Sequence, residues 1–160
     1  MTVILSIDPS SNKATKSNTG IVLIDNGKLI DYWVASYGLQ GFKEWFKTVG
    51  SSLKPDVVVV EQFEARDNDK AKDNSVIETI DFIKTCYPDL ILQRNAGYQT
   101  DVPNELLKAL GLWKFEKSHH EDVRAAARLA IFYAMRNDLE DFVTGVGRLV
   151  NGNMEKYSRL

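Results

Sequence analysis

The sequence predicts an α/β fold in which a mixed five-stranded sheet carries helices on both faces. Three features predict it: an Asn-Gly pair between two apolar runs near the start, a later run of four valines, and helical apolar spacing on either side of those valines. Strands paired through a hairpin, followed by strands reached through helices, give both antiparallel and parallel neighbours. A chain of 160 residues suffices for one such domain with a hydrophobic core.

The predicted sheet starts with three antiparallel strands. Residues 2–8 form a nearly continuous apolar run, typical of a strand covered on both faces. The apolar runs at 20–24 and 29–34 flank Asn26 and Gly27, a pair that tolerates the positive φ angles of a tight type I′ turn. These two runs therefore predict a hairpin.

Helices and two parallel strands alternate after the hairpin. Apolar residues recur at helical spacing between Leu39 and Leu53, and Pro55 ends that pattern. The run 56–61 holds four valines, whose β-branched side chains favour a buried central strand. The remaining predicted elements are a helix over about 68–85, a short strand at 90–92, a short helix within 102–110 and a long helix from His119 to about Met135.

Composition excludes several classes of protein. The hydrophobic fraction of 44% argues against a disordered chain. The 20 basic and 22 acidic residues give a net charge of −2, which argues against a polycation that binds nucleic acid independently of its sequence. The single cysteine, Cys86, cannot form an internal disulfide, and the two histidines are adjacent, unlike zinc-finger ligands. No apolar run is long enough for a bilayer, and the start lacks signal-peptide features. We therefore expect a cytoplasmic protein without a membrane partner.

Two carboxylates end the two most buried predicted strands. Asp8 closes the first strand and Glu61 closes the valine strand. If these strands are parallel neighbours, both carboxylates lie at the carboxyl edge of the sheet, where α/β proteins place their sites. Either residue alone is better explained as the first residue of a loop.

A third candidate group lies at the start of the predicted long helix. Ser118 and Glu121 fit a capping box, which gives Glu121 a structural role. His119 and Asp122 are three residues apart and share one face of the first turn, although a helix-start histidine and a dipole-complementing acid explain them as well. With the two strand-end carboxylates they offer three hard oxygen ligands and one imidazole, a set that suits Mg²⁺ or Mn²⁺. Two such ions ~3.5–4 Å apart can hydrolyse a phosphodiester.

Three segments resemble the motifs of the RuvC family of Holliday-junction resolvases, in the H-x-x-D form of bacteriophage members. They are residues 4–10, 56–63 and 119–122, the last followed by an alanine-rich helix. The resemblance implies a ribonuclease H-like fold over residues 1–137. It also implies a homodimeric endonuclease with two Mg²⁺ or Mn²⁺ ions that nicks four-way or branched DNA. By the same resemblance, the catalytic and metal-binding residues are Asp8, Glu61, His119 and Asp122.

Basic residues near these motifs are candidate contacts to DNA phosphates. Arg124 and Arg128 are the best pair, because they lie i,i+4 on the helix beside the acidic site. Phe63 either wedges between bases or closes a core. The full set of predicted DNA-binding residues is Lys13, Lys16, Phe63, Arg66, Lys70, Lys72, Lys117, Arg124 and Arg128, with Lys114 as a further candidate. A solvated surface role is at least as compatible with any single basic residue.

Residues 138–160 form a C-terminal extension that matches no part of the resemblance. Its apolar residues have helical spacing, so we expect an element that packs on the domain or forms part of a dimer. Two other functions remain open for the chain: a nuclease acting on RNA–DNA hybrids or flaps, and a non-catalytic module that binds branched DNA. Clustered carboxylates without a purpose destabilise one another, which argues against the module.

Overall fold

The chain forms one five-stranded sheet with helices packed on its two faces. The computed structural model describes residues 2–10, 18–25, 28–62, 75–94, 102–115 and 120–137. The elements in chain order are β1 (Val3–Asp8), β2 (Asn18–Asp25), β3 (Lys28–Ser36), α1 (Gly38–Thr48), a 3-10 turn (Gly50–Ser52), β4 (Val57–Glu61), α2 (Val76–Cys86), β5 (Ile91–Gln93), α3 (Asn104–Ala109) and α4 (His120–Arg136).

The strand order is β3-β2-β1-β4-β5. β1, β2 and β3 pair antiparallel, whereas β4 pairs parallel with β1 on one side and with β5 on the other. The predicted mixed sheet of three antiparallel strands and two parallel strands is therefore confirmed. The predicted hairpin is also present, with Ile24 opposite Leu29, while residues 26 and 27 of its turn lie outside the described residues.

Both faces of the sheet are covered, which explains why its strands are continuously apolar. On one face, Ile4, Val22 and Val59 pack against α3 and α4. On the other face, Leu5, Ile21 and Val60 pack against α1 and α2. The alternation of side chains along each strand sends neighbouring residues into two separate cores. Four of the five alanines of α4 are buried against the sheet, at positions Ala126, Ala127, Ala130 and Ala134.

The boundaries of several helices differ from those that the sequence pattern predicts. α1 ends at Thr48, because the chain then enters the 3-10 turn, where Gly50 lies so close to Trp45 that a Cβ there would overlap the indole ring. The described part of the second helix starts at Val76, since residues 63–74 lie outside the described residues. The predicted capping serine, Ser118, and the extension 138–160 also lie outside them.

Within the described ranges, none of the helices is long and apolar enough to cross a membrane. The division into a domain over 1–137 and an extension over 138–160 stays a prediction.

Candidate active site

Asp8 and Glu61 lie side by side at the carboxyl edge of the sheet. β1 and β4 are parallel neighbours whose register pairs Ile7 with Val60, so the next residue of each strand is the carboxylate. Neighbouring strands are about 4.8 Å apart. The topology thus brings together the two strand-end carboxylates that the sequence analysis selected.

A buried hydrogen bond sets the position of α4 on this sheet. The Ser6 hydroxyl donates to the Ala126 carbonyl over 2.6 Å. Asp8 is two residues beyond Ser6, about 6.6 Å along a strand, and Asp122 is four residues before Ala126, about 6 Å along a helix. Asp122 is close enough to Asp8 for its charge to raise the pKa of Asp8, so the first turn of α4 lies near the carboxyl edge.

A glycine on β2 allows the close approach of the helix start. Gly20 is the antiparallel partner of Asp8. A Cβ added to Gly20 would overlap the carbonyl group of Asp122, so only a residue without a side chain fits between β2 and this turn of α4. The β1 carboxylate is therefore flanked by Glu61 on one side and by the Gly20–Asp122 contact on the other.

The charges of Glu61 and Asp122 act on Asp8. Asp8 keeps some exposed surface but lies deep among the surrounding protein atoms. Burial raises the pKa of Asp8 well above its ordinary value, and a side-chain hydrogen bond with Glu61 and the negative charges of Glu61 and Asp122 raise it further. In the absence of a cation, burial and the two neighbouring carboxylates therefore disfavour the ionised form of Asp8.

The donor chemistry of this group fits a hard divalent cation. Carboxylate oxygens are the ligands that Mg²⁺ and Mn²⁺ prefer, and a cation would remove the repulsion that raises the pKa of Asp8. Among the described residues, no three His, Cys, Asp or Glu side chains converge closely enough to hold a metal ion in this conformation. The fourth predicted ligand, His119, lies outside the described residues.

Two buried threonines bind Ser10, two residues beyond Asp8, and neither was selected from the sequence. The Ser10 N–H donates to Thr19 Oγ1 over 3.1 Å, and the hydroxyls of these two residues are 2.9 Å apart. The Thr79 hydroxyl of α2 donates to the Ser10 carbonyl over 3.0 Å. Within the described ranges, Ser6, Thr19 and Thr79 are the buried polar residues, and all three support this edge. Their signal in the sequence is a hydroxyl at an otherwise apolar, buried position.

Two of the three arginines of α4, Arg124 and Arg128, have structural partners. Arg124 Nε donates to the Trp113 carbonyl over 2.6 Å, and its guanidinium carbon lies 3.6 Å from the centre of the indole ring. Arg128 donates to the Val102 carbonyl over 2.9 Å and to the side-chain oxygen of Asn104. These bonds tie residues 102–115 to α4. The predicted phosphate contacts of both arginines stay predictions beside this packing role.

The other predicted DNA-binding residues cannot be placed against the site. These residues lie outside the described ranges: Lys13, Lys16, Phe63, Arg66, Lys70, Lys72 and Lys117. Lys114 is described and is exposed.

Comparison with known proteins identifies the fold. No family model matches the sequence, and no curated protein matches it. Among solved structures, T. thermophilus RuvC in complex with a Holliday junction substrate is similar with a TM-score of 0.61 and 16% sequence identity. The similarity covers 87% of this chain and 97% of that chain. The mixed sheet with its covering helices is therefore the ribonuclease H-like fold that RuvC also has.

Proposed function

We propose that the protein is a structure-specific, divalent-metal-dependent endonuclease that nicks four-way or branched DNA junctions by phosphodiester hydrolysis. The observation that carries the proposal is the side-by-side placement of Asp8 and Glu61 at the carboxyl edge, with the charge of Asp122 acting on the pair. The structure of RuvC with a Holliday junction substrate supports it, because that protein shares the fold.

Asp8, Glu61 and Asp122 are the residues proposed to hold Mg²⁺ or Mn²⁺, together with His119. Two bound ions would supply an ionised water at neutral pH and stabilise the leaving oxygen of the phosphodiester. The chain's own contribution is orientation. The Ser6 hydroxyl fixes α4 on β1, and the bonds of Thr19 and Thr79 to Ser10 hold the backbone beyond Asp8, so the carboxylates keep their places as substrate binds.

A homodimer that presents two such sites to the symmetric strands of a junction belongs to the same proposal. So does the bacteriophage type of the family resemblance, which rests on the H-x-x-D spacing of His119 and Asp122. Both extend beyond the shared fold.

The deciding experiment compares wild type with Asp8→Asn and Glu61→Gln on a panel of four substrates. The panel holds a four-way junction, a flap, an RNA–DNA hybrid and plain duplex DNA, each with Mg²⁺ or Mn²⁺. We expect wild type to nick the junction, and each variant to lose about 10³-fold or more of the cleavage rate while still binding it. Asp89→Asn is the matched control, because Asp89 is an exposed acid before β5, at the opposite edge of the sheet.

Each outcome assigns a function. Normal cleavage by Asp8→Asn would remove the proposed site. Preferential cleavage of the hybrid or the flap would identify the second candidate nuclease. Tight junction binding without cleavage of any substrate by wild type would identify a branched-DNA-binding module.

A further inference from the structure

A groove of about 530 Å³ opens beside the carboxylates, at the same edge of the sheet. It starts one residue from the site, because Gln62 follows Glu61 directly and Gln93 is the register partner of Glu61 on β5. The Gln62 N–H donates to the Gln93 carbonyl over 2.9 Å, which continues the pairing past the end of β4. The groove is thus built on the strand ends that position the candidate site.

The walls of the groove are cationic and amide-bearing. Arg94 follows β5, Arg136 is the last residue of α4, and both are exposed. Asn137 and the two glutamines add amide groups, and no acidic residue is among the described residues that line the groove. Among the described residues that line the groove, the charged groups are these two arginines, and their charge favours a negatively charged ligand.

Phe132 forms a buried part of one wall of the groove. Only 4% of its surface is exposed, so its ring cannot serve as a stacking platform for a base. The guanidinium carbon of Arg136 lies 5.4 Å from the centre of the ring, within the range of a cation–π contact that orients the charge. On this wall the group available to a ligand is therefore the Arg136 guanidinium and not the face of the Phe132 ring.

We propose that this groove binds the phosphate backbone of the nucleic-acid strand next to the cleaved bond, with Arg94 and Arg136 as the phosphate-binding side chains. The inference rests on the proposed nuclease function and assigns it a strand path. Guanidinium groups bind phosphate oxygens through paired N–H donors, and the size of the groove is within the range of about 300–1,000 Å³ that is usual for ligand sites. Because its chemistry addresses phosphate and sugar, the contact is independent of base sequence.

The test measures junction binding in the Asp8→Asn background, which separates binding from cleavage. Fluorescence anisotropy over a series of salt concentrations is recorded for Arg94→Gln, Arg136→Gln and the double variant. We expect each single substitution to weaken binding about fivefold and to lower the slope of log K against log salt by about 0.7–0.9, the value for one phosphate contact. Arg94→Lys and Arg136→Lys should restore most of that slope. Lys47→Gln removes an exposed cation of α1 and is the matched control.

A second measurement locates the strand without removing an arginine. An iron chelate attached to Asn137→Cys, in a chain that also carries Cys86→Ser, should cleave the bound DNA backbone within a few nucleotides of the nick site.

The outcomes separate the two proposals. Arginine variants with wild-type affinity and slope, or cuts far from the nick site, would overturn the groove while leaving the nuclease in place. Equal losses in Lys47→Gln would also overturn it, because they would show a diffuse charge effect. Failure of the Asp8→Asn protein to bind any of the four panel substrates would overturn both.

Discussion

Asp8 lies where its charged form is unfavourable in the absence of a cation. Burial is the largest cause of its raised pKa, followed by the hydrogen bond with Glu61 and the charges of Glu61 and Asp122. A protein that keeps such a group accepts a stability cost at the place where it works. The cost has a measurable pH dependence.

We expect Asp8→Asn to stabilise the metal-free protein increasingly as the pH rises. The folded-state pKa of Asp8 lies above its ordinary value of 3.8. The free energy of unfolding of the wild type is therefore highest, relative to the variant, below pH 3.8, and it falls as the pH rises through the folded-state pKa. The amide does not titrate. Urea unfolding in EDTA between pH 4 and 8 should show a growing advantage of the variant, up to about 1 kcal/mol or more. A constant difference across this range would contradict the assignment.

The Thr79 hydroxyl donates to the Ser10 carbonyl, which under the proposed function makes Thr79 a positioning residue. We expect Thr79→Val to lower the cleavage rate constant about tenfold, because the turn after Asp8 loses a fixed partner, while junction affinity stays unchanged. Thr79→Ser keeps the hydroxyl and should recover most of the rate. Single-turnover cleavage and anisotropy, both far below the melting temperature, separate the rate from binding.

The control for this prediction lies on the same helix. The exposed Thr85 donates to the Phe82 carbonyl over 2.6 Å, remote from the turn after Asp8. Thr85→Val should leave the rate unchanged, and an equal loss in both variants would show that Thr79 acts through helix stability alone.

At the scale of elements, the docking of α4 on β1 and β2 builds the site. Small residues let the helix lie close: alanines cover the sheet, and Gly20 accepts the first turn. The Ser6–Ala126 bond then fixes the position of the helix along the strand. A sliding or tilting of α4 would move Asp122 away from Asp8 without changing either residue.

We expect Gly20→Ala to displace the start of α4, because the new methyl group overlaps the Asp122 carbonyl. Overpacking of this kind costs about 1–3 kcal/mol, and each kcal/mol lowers the Tm of a chain of this length by roughly 2–4 °C. The cleavage rate should fall as well, since the third carboxylate moves. Thermal melting and single-turnover cleavage check the two effects.

Gly111→Ala is the comparison for backbone strain alone. Gly111 has a φ of 74° and nothing within 4 Å of an added Cβ, so its substitution costs about 1 kcal/mol without moving α4. If Gly111→Ala lowered cleavage as much as Gly20→Ala, the steric argument would be wrong.

At the scale of the whole molecule, one edge of the sheet gathers the candidate functional groups. The carboxylates end β1 and β4, the groove continues toward β5, and α4 contributes both Asp122 and Arg136. The opposite edge carries a structural contact, in which the Val3 N–H donates to Asp56 over 2.8 Å. The separation leaves one edge for the substrate.

We expect Mg²⁺ or Mn²⁺ to raise the melting temperature of the wild type. Ligand at ten times its dissociation constant stabilises the native state by about 1.4 kcal/mol, which is a few degrees at this chain length. Asp8→Asn should show little or no shift, and monovalent salt at equal ionic strength controls for screening. An unchanged wild-type melting temperature at millimolar Mg²⁺ and Mn²⁺ would contradict a metal site.

The elements of this fold, and the three carboxylates of its candidate site, could be predicted from the sequence. Apolar runs, four valines and an Asn-Gly pair determine strands and a hairpin locally, because they act through backbone preference and side-chain alternation. The strand ends then select Asp8 and Glu61, and the start of the long helix selects Asp122. The functions of Arg124 and Arg128 could not be predicted in this way, since a charge pattern does not show that both side chains bind backbone carbonyls of the segment 102–115.

Only the tertiary structure decided which distant residues meet. Pairing of β1 with β4, and the bond between Ser6 and Ala126, 120 positions apart, depend on how whole elements pack. The roles of Thr19 and Thr79 follow from the same packing, because a buried hydroxyl gains its partner only when another element delivers a carbonyl or an N–H. Local pattern sets what each segment becomes, and packing sets which side chains share a site.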